Sequence, residues 1–527
     1  MRIVAIFALA LLSAASTAFV LRNGWTLYYG DAESHLDIAR RILDARTPGY
    51  EQIGTVWLPL PHALMLPLVG NDELWRNGLA GAIPASVCFV IAGAFFFASV
   101  LTLFRSAAAA WAALGVLSLN PNLLYLQSTP MTEAVLLACL MALLFSTVRF
   151  SQTQSWWAVA GAGLAALAAT LTRYEGWFLL PFVAGFFLLR GKKHMTAFLF
   201  LAIASLGPLY WLAHNWWSYG NPLEFYNGPY SAQAIYQRAL DHGVPPYPGD
   251  HDWLLAAWYF STAAELCIGW VALLLAALGL FAAGKAKAVW PVIYLLLPPV
   301  FYVWSMHSGG TPIYVPVLWP NSYYNTRYAL SALPLIALCA GAVVLWWPAK
   351  RQAWAAAVIV AVSAAAASPV CWKESQVNSA GRRAWTEQAA DYLRSEYRTG
   401  DGIFTSLGDL AGIYREAGIP LRETLNEGNR PLFLPTTRQP LLLLHEEWAV
   451  AMAGDPVASA VEHLSVQNGP KYELMKTIVV KAQPVIQIYR RTNPVGQASS
   501  FVGQASSLRP IINRPPPAIN LNQPVNQ

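Results

Sequence analysis

Long apolar stretches alternate with short polar ones through the first 370 residues of the chain. A helix of about 20 apolar residues is long enough to cross the hydrocarbon core of a bilayer. Eleven stretches approach this length, and each is predicted to be a transmembrane helix: 3–21, 78–104, 107–127, 131–149, 156–172, 175–190, 195–217, 255–283, 288–306, 328–347 and 353–370. The pattern predicts a polytopic α-helical membrane protein over residues 1–370.

The hydrophobic pattern changes after Pro369. "AWTEQAADYLRSEYR" has the apolar spacing of an amphipathic helix, whereas "GIFTSL", "PLLLLHE", "KTIVVKA" and "VIQIYRR" are typical of strands. These segments predict a C-terminal α/β domain over residues 371–491. Residues 492–527 repeat "VGQASS" and end in a stretch rich in Pro and Asn, a composition that predicts a disordered tail.

Composition agrees with the membrane prediction. The chain is 56% hydrophobic and only 12% charged, against about 25% charged residues in a typical soluble domain. Its net charge of +6 comes from short basic clusters between apolar stretches, not from one basic patch. Nucleic acid is therefore not a predicted partner, whereas the lipid bilayer is.

The basic clusters also predict an orientation. Cytoplasmic loops of membrane proteins are enriched in Lys and Arg, and a cytoplasmic N-terminus places these residues inside: Arg2, Arg105, Arg149, Arg190, Lys192, Lys193, Lys285, Lys287, Lys350 and Arg351. All fourteen acidic residues before residue 371 then fall on the opposite side or near it. We expect a multi-pass protein of a bacterial-type plasma (inner) membrane, with an extracytoplasmic C-terminal domain.

The first apolar stretch has two interpretations. "MRIVAIFALALLSAASTAFV" has the basic start, apolar core and small residues of a signal peptide, although its apolar run is somewhat long for one. A retained helix is the favoured interpretation. Asp31 lies on the extracytoplasmic side in both cases.

The first external loop, residues 22–77, is too long for a simple connector. From Ser34 onward, Leu36, Ala39, Ile42 and Leu43 share one helical face, which predicts a helix lying on the membrane surface. Three prolines between positions 59 and 67 then divide the following apolar stretch into short pieces. The loop is predicted to cover the membrane with interfacial helices.

Acidic and basic residues lie beside apolar stretches on this same side. Asp31 follows the first stretch, Glu133 begins the fourth, Arg173 and Glu175 separate the fifth from the sixth, and Arg327 precedes the tenth. Each alone could be a helix cap or a surface ion pair. Charges are costly near hydrocarbon, so their coincidence at one membrane face indicates a functional site.

This combination of residues fits one kind of chemistry. Outside the cytoplasm, a lipid-linked phosphosugar offers both an activated leaving group and membrane residence. Transfer of its sugar needs a carboxylate as general base for the acceptor hydroxyl, and arginines on the departing phosphate. A further acid would hold a divalent cation such as Mg²⁺ or Mn²⁺, or position the acceptor. The sequence designates no residue as a metal ligand.

The motifs in their order resemble the GT-C superfamily of polyprenyl-phosphate-sugar glycosyltransferases, which includes protein O-mannosyltransferases and the lipid A aminoarabinose transferase. The similar segments are "YYGDAESHLDIARRILD", "VWLPLPH", "TPMTEA", "TRYEGW" and "NTRYALSALP", within residues 1–370. The resemblance implies that Asp31 is the catalytic base, that Glu133 is a second acidic residue of the site and that Arg327 contacts the donor phosphate. Family members often carry Asp-x-Asp or adjacent acids in the first loop. Here the pair is Asp31-x-Glu33, so the role of Glu33 stays open.

Other substrate-binding candidates lie close to these motifs. His35 follows Asp31 by four residues and can share its helical face, either in a structural hydrogen bond or in the site. His62 ends "LPLPH" and either reaches a phosphate or anchors the loop at the interface. Arg173 and Glu175 either pair with each other or contact substrate.

Two functions follow as alternatives. The favoured one is an integral-membrane glycosyltransferase that moves a sugar from a polyprenyl-phosphate donor to an acceptor hydroxyl on a protein, lipid or polysaccharide. The alternative is a transporter or flippase of an anionic (glyco)lipid, with Arg173 and Arg327 as headgroup contacts. Transporters tend to carry their polar groups near the middle of the bilayer and in repeated halves, and the chain shows neither pattern.

Overall fold

The computed structural model describes residues 1–466 and 471–492. Residues 1–370 form an α-helical bundle, and the chain then continues into a C-terminal domain with a five-stranded sheet. All but the first residue of the predicted tail lie outside the described residues. The fold class predicted from the sequence is confirmed.

Among the described residues, seven helical segments are long and apolar enough to cross a membrane: Arg2–Arg22, Leu79–Phe104, Glu133–Thr153, Met195–Tyr219, Val289–His307, Thr326–Trp346 and Ala349–Glu396. Some are interrupted, since Ser205 breaks the fourth and the last combines a helix ending at Ala366 with one beginning at Val370. Each matches a predicted apolar stretch.

Three further predicted segments form shorter helices. Residues 107–127 divide into Ala107–Ser118 and Pro121–Leu126, because Pro121 begins a new helix behind the Asn120 cap. The other two form Trp156–Thr170 and Glu175–Arg190. All are apolar helices of the bundle.

The stretch 255–283, predicted as one span, is bent in the structure. The structure has two helices, Trp253–Ile268 and Trp270–Lys285, which meet at an angle of 107°. Gly269 joins them at φ 92°, a conformation that favours glycine. A continuous apolar run does not reveal such a bend, and the exposed Glu265 at the end of the first helix is its one polar sign. The pair adds at most one further span.

The first external loop is helical, as predicted. It contains an amphipathic helix, Gly30–Leu43, which we call the first-loop helix. Leu36 and Ala39 are fully buried on it. Short helices follow at Tyr50–Ile53, Leu60–Val69 and Asp72–Arg76. The later connections carry Glu224–Asn227 and Ala232–Asp241.

The C-terminal domain begins on a long helix, Val370–Glu396, which we call the connecting helix. The sheet has five strands: Ile403–Thr405, Thr424–Leu425, Trp448–Met452, Tyr472–Ile478 and Ile486–Arg491. The first strand lies between the second and third and is parallel to both, whereas the last two strands are antiparallel additions at the other edge. Four short helices accompany them: Ala411–Ala417, Arg430–Arg438, Pro440–Leu443 and Pro456–Val466.

The strand predicted at "PLLLLHE" is wrong. Pro440 starts a short helix there, consistent with the preference of Pro for the first turn, and the strand lies further on, at Trp448–Met452. A run of four leucines has no periodicity that separates a helix from a strand. The strands expected near "GIFTSL", "KTIVVKA" and "VIQIYRR" are present, the middle one displaced toward its N-terminal side.

The C-terminal domain packs on the first external loop. Leu36, Met65 and Trp75 of the loop share one hydrophobic core with Trp385 and Tyr414 of the domain. Ion pairs surround this core, including Arg46 with Glu446 and Arg422 with Asp44. The loop and the domain therefore lie together at one end of the helical bundle, which we call the domain side.

Candidate active site

The charged residues predicted from the sequence meet at the domain side of the bundle. Asp31 is the second residue of the first-loop helix, and Glu133 begins the helix Glu133–Thr153. Arg173 lies just before the helix Glu175–Arg190, and Glu175 begins it. Arg327 lies in the first turn of the 3₁₀ segment Thr326–Ala332. Four separate parts of the chain thus bring their ends together at one place.

Arg327 is the centre of this cluster. Its Nη2 donates to Oδ2 of Asp31, and its Nε donates to Oε1 of Glu133 at 3.1 Å. The guanidinium lies over the rings of Tyr29 and Tyr328, at 5.1 and 4.7 Å. Its side chain is only 5% exposed, whereas that of Asp31 is 43% exposed. Arg327 is therefore fixed, and Asp31 is the carboxylate that a substrate can reach.

The contacts of Asp31 exclude the interpretation of this residue as a helix cap. The first-loop helix begins at Gly30, with Tyr29 as the N-cap residue and no side-chain cap hydrogen bond. Asp31 therefore does not cap the helix, and its carboxylate points to Arg327 instead.

Arg173 forms the second half of the cluster. Its Nε donates to Oε1 of Glu175 at 2.7 Å, its Nη1 donates to Oγ1 of Thr132 at 2.9 Å, and its Nη2 donates to the hydroxyl of Tyr302 at 2.9 Å. Nη1 also lies 3.6 Å from Oε1 of Glu133. Every nitrogen of this guanidinium has a partner, so its position is well determined.

Glu133 and Tyr328 join the two arginines. Oε1 of Glu133 contacts both guanidiniums, while its buried Oε2 has no hydrogen-bond partner. The ring of Tyr328 lies 5.0 Å from the guanidinium of Arg173 and 4.7 Å from that of Arg327. The result is two guanidiniums held close together by one shared carboxylate.

His35 and His62 lie beside the cluster and contact each other. Nδ1 of His35 is 3.0 Å from Nε2 of His62, and the ring of His35 packs on Trp57 at a centroid distance of 4.4 Å. Burial, reinforced by Arg173 and Arg327, lowers the pKa of His35 to about 3. Burial also lowers the pKa of His62. Both rings are therefore neutral at neutral pH.

Glu33 lies apart from the other predicted residues. Its Oε1 accepts from Nη2 of Arg415 at 2.7 Å, and its Oε2 lies 3.0 Å from Nη1 of Arg382. Both arginines belong to the C-terminal domain. The structure thus brings together Asp31, Glu133, Arg173, Glu175 and Arg327, with the two histidines beside them, and directs Glu33 to the domain.

Sequence reasoning missed Glu374, Tyr302 and Tyr328. Glu374, on the connecting helix, is 1% exposed and accepts from the backbone N–H of Thr326 at 2.9 Å and from its hydroxyl. Its Oε1 is 3.9 Å from Nη1 of Arg327. The signal for Glu374 was its place as the first acid after the last apolar stretch. The tyrosines gave no signal, because aromatic residues are frequent throughout the chain.

The cluster does not present a ready set of metal ligands. Among the described residues, no group of three or more His, Cys, Asp or Glu side chains is arranged to hold a metal ion. Asp31, Glu133 and Glu175 already accept from arginine nitrogens.

The chain has the fold of a multi-pass α-helical membrane protein with a C-terminal sheet domain. The structure of ArnT from Cupriavidus metallidurans bound to undecaprenyl phosphate is similar over 90% of this chain and 97% of that chain, with a TM-score of 0.53 and 13% identity. The structure of the same protein in the apo state also matches 90% of this chain and 97% of that chain, with a TM-score of 0.48 and 13% identity. The apo oligosaccharyltransferase of Archaeoglobus fulgidus matches 86% of this chain and 69% of that chain, with a TM-score of 0.48 and 12% identity. No model of a protein family matches the sequence, and no curated protein matches it.

Proposed function

We propose that this protein is an integral-membrane glycosyltransferase that moves a sugar from a polyprenyl-phosphate donor to an acceptor hydroxyl on the extracytoplasmic side. The observation that carries the proposal is the cluster of two buried arginines, joined by Glu133, with the half-exposed Asp31 at its edge. Such a cluster supplies two guanidiniums that a phosphate can contact in exchange for a carboxylate partner, and a carboxylate within reach of an acceptor. The GT-C fold supports this class of reaction, and the neighbouring ArnT structure holds undecaprenyl phosphate.

The proposed reaction is a displacement at the anomeric carbon. The acceptor oxygen forms a bond to that carbon as the bond from the carbon to the phosphate oxygen breaks. Asp31 takes the proton of the acceptor hydroxyl as general base. The bonding electrons leave with the polyprenyl phosphate, and Arg327 and Arg173 stabilise the added negative charge. Glu133 and Glu175 hold the two arginines in place.

The proposed orientation rests on the basic residues. Arg105, Arg149 and Arg190 lie at or near helix ends opposite the domain side, and so do the basic residues around 285 and 350. The positive-inside rule places those ends in the cytoplasm. The charged cluster and the C-terminal domain then face the outside of a bacterial-type inner membrane.

A turnover assay tests the proposal. The purified protein in nanodiscs is given a panel of radiolabelled polyprenyl-phosphate sugars, and sugar release or transfer is followed with and without a chelator. One donor is expected to lose its sugar, and Asp31→Asn is expected to lower this rate about 100-fold or more, because Asn cannot take the proton. The chelator arm shows whether a divalent cation takes part.

The matched control is Asp72→Asn. Asp72 belongs to the same external loop but is 62% exposed and pairs with Arg40, away from the cluster. Its variant is expected to retain parental turnover. Full activity of Asp31→Asn would refute the catalytic assignment. Saturable donor binding without turnover, unchanged by Asp31→Asn, would instead support the transporter or flippase.

A further inference from the structure

A group of exposed leucines marks one side of the C-terminal domain. Leu432, Leu434, Leu441, Leu442 and Leu443 are between 39% and 66% exposed, and we call them the leucine patch. They lie on the consecutive short helices Arg430–Arg438 and Pro440–Leu443. Among the described residues from 397 onward, these are five of the eight large hydrophobic side chains that are exposed. Such a concentration marks an interaction surface.

The patch is attached to the membrane-facing parts of the molecule. The guanidinium of Arg430 lies 4.3 Å from the ring centroid of Tyr219, the last residue of the span Met195–Tyr219. Just before the patch, Asn429 Nδ2 donates to Oγ1 of Thr47 at 3.0 Å, and the carbonyl of Gly428 accepts from Nε2 of Gln52 at 2.9 Å. The patch therefore starts where a membrane-crossing helix ends.

The end of that helix has the features of a membrane interface. Trp216 and Trp217, within one turn of Tyr219, are 68% and 92% exposed. Tryptophan and tyrosine concentrate at the headgroup layer of a bilayer. The contact between Arg430 and Tyr219 makes the leucine patch continuous with this aromatic layer.

The charge of the patch fits an anionic lipid surface. Residues 428–445 contain Arg430 and Arg438, both exposed, and no Asp or Glu. Phe433 and Thr436 of the same helix are buried against the domain, so the helix is amphipathic. Apolar side chains flanked by arginines are typical of helices that lie in a membrane interface.

We propose that the leucine patch inserts into the outer leaflet of the bilayer that holds the transmembrane helices, with Arg430 and Arg438 at lipid phosphates. The leucine patch then adds a third support for the C-terminal domain, besides the connecting helix and the core that the domain shares with the first external loop. This proposal rests on the membrane placement of the bundle and not on the proposed reaction, so the two can fail separately.

Site-specific fluorescence in nanodiscs tests this surface. Leu442→Cys is introduced in the full-length chain, labelled with a thiol-reactive fluorophore, and measured in discs with and without lipids brominated near the headgroup end of the acyl chain. The matched control is Leu474→Cys, because Leu474 is 49% exposed on the edge strand Tyr472–Ile478. Of the five native cysteines four are buried, and labelling of the unsubstituted protein gives the background.

Brominated lipid is expected to lower the fluorescence at position 442 about twofold, since an interfacial helix places its apolar face about 5–10 Å below the surface. Position 474 is expected to stay bright. Quenching at position 442 no greater than at position 474 would overturn the proposal. The leucine patch would then be a binding surface for a protein partner. The quenching at 442 should also weaken in discs without anionic lipid, and an unchanged value there would refute the role of the arginines.

Discussion

Glu33→Gln removes the carboxylate that joins the first-loop helix to the C-terminal domain. The side chains of Glu33 and Arg415 are each 8% exposed and that of Arg382 is 13% exposed, so solvent compensates little for the loss. Gln keeps the shape but removes the negative partner of Arg382 and leaves Arg415 only the half-exposed Glu416, at 3.0 Å. Breaking a buried ion pair in this way costs about 3–5 kcal/mol. The exposed pair of Arg394 and Asp391 would cost about 0–1 kcal/mol.

Thermal unfolding of the purified protein measures this difference, with a maleimide dye that fluoresces when buried cysteines react. Cys371 is fully buried in the bundle core near the start of the connecting helix, and it is one of four buried cysteines whose exposure the dye reports. At one scan rate, Glu33→Gln is expected to lower the apparent Tm by about 5 °C or more, and Asp391→Asn by about 1 °C or less. Equal Tm values for both variants would refute the reasoning. Arg415→Gln added to Glu33→Gln should cost less than it does alone, because the two residues share one interaction.

Two further outcomes are expected at the cluster. Arg327→Lys keeps the charge but loses the planar fork that donates to Asp31 and Glu133 from separate nitrogens, so transfer in the radiolabel assay is expected to fall about 100-fold or more. A rate within about threefold of the parent would contradict a role for the guanidinium. Burial lowers the pKa of His35 to about 3. Between pH 6.5 and pH 3, this histidine is therefore protonated in the unfolded chain but neutral in the folded protein. Stability should therefore be lost as pH falls from near 6.5 toward 3, and His35→Gln should lose less Tm than the parent between pH 7 and pH 4. Identical losses would assign the acid sensitivity to other groups.

The helices of the bundle were predictable because a helix that crosses hydrocarbon needs a long apolar stretch, and such a stretch is visible in the sequence itself. The meeting of Asp31, Glu133, Arg173 and Arg327 was predictable for a related reason, since charges tolerated only at helix ends on one side of a membrane share a narrow layer. The bend at Gly269 leaves no such pattern, because both of its arms are apolar. The helix at "PLLLLHE" was missed because its leucines are exposed, so burial does not impose a period on them.

The two acids of the first loop show what the sequence could not predict, which is the partner of each charged side chain. Asp31 and Glu33 are two residues apart in one helix, and at about 100° per residue their side chains point about 200° apart. One therefore faces the arginines of the bundle while the other faces Arg382 and Arg415 of the domain. The sequence shows an acidic pair but not which partners the tertiary fold brings to each side. Because the same short helix carries both contacts, we infer that the domain acts on the site by fixing the position of Asp31.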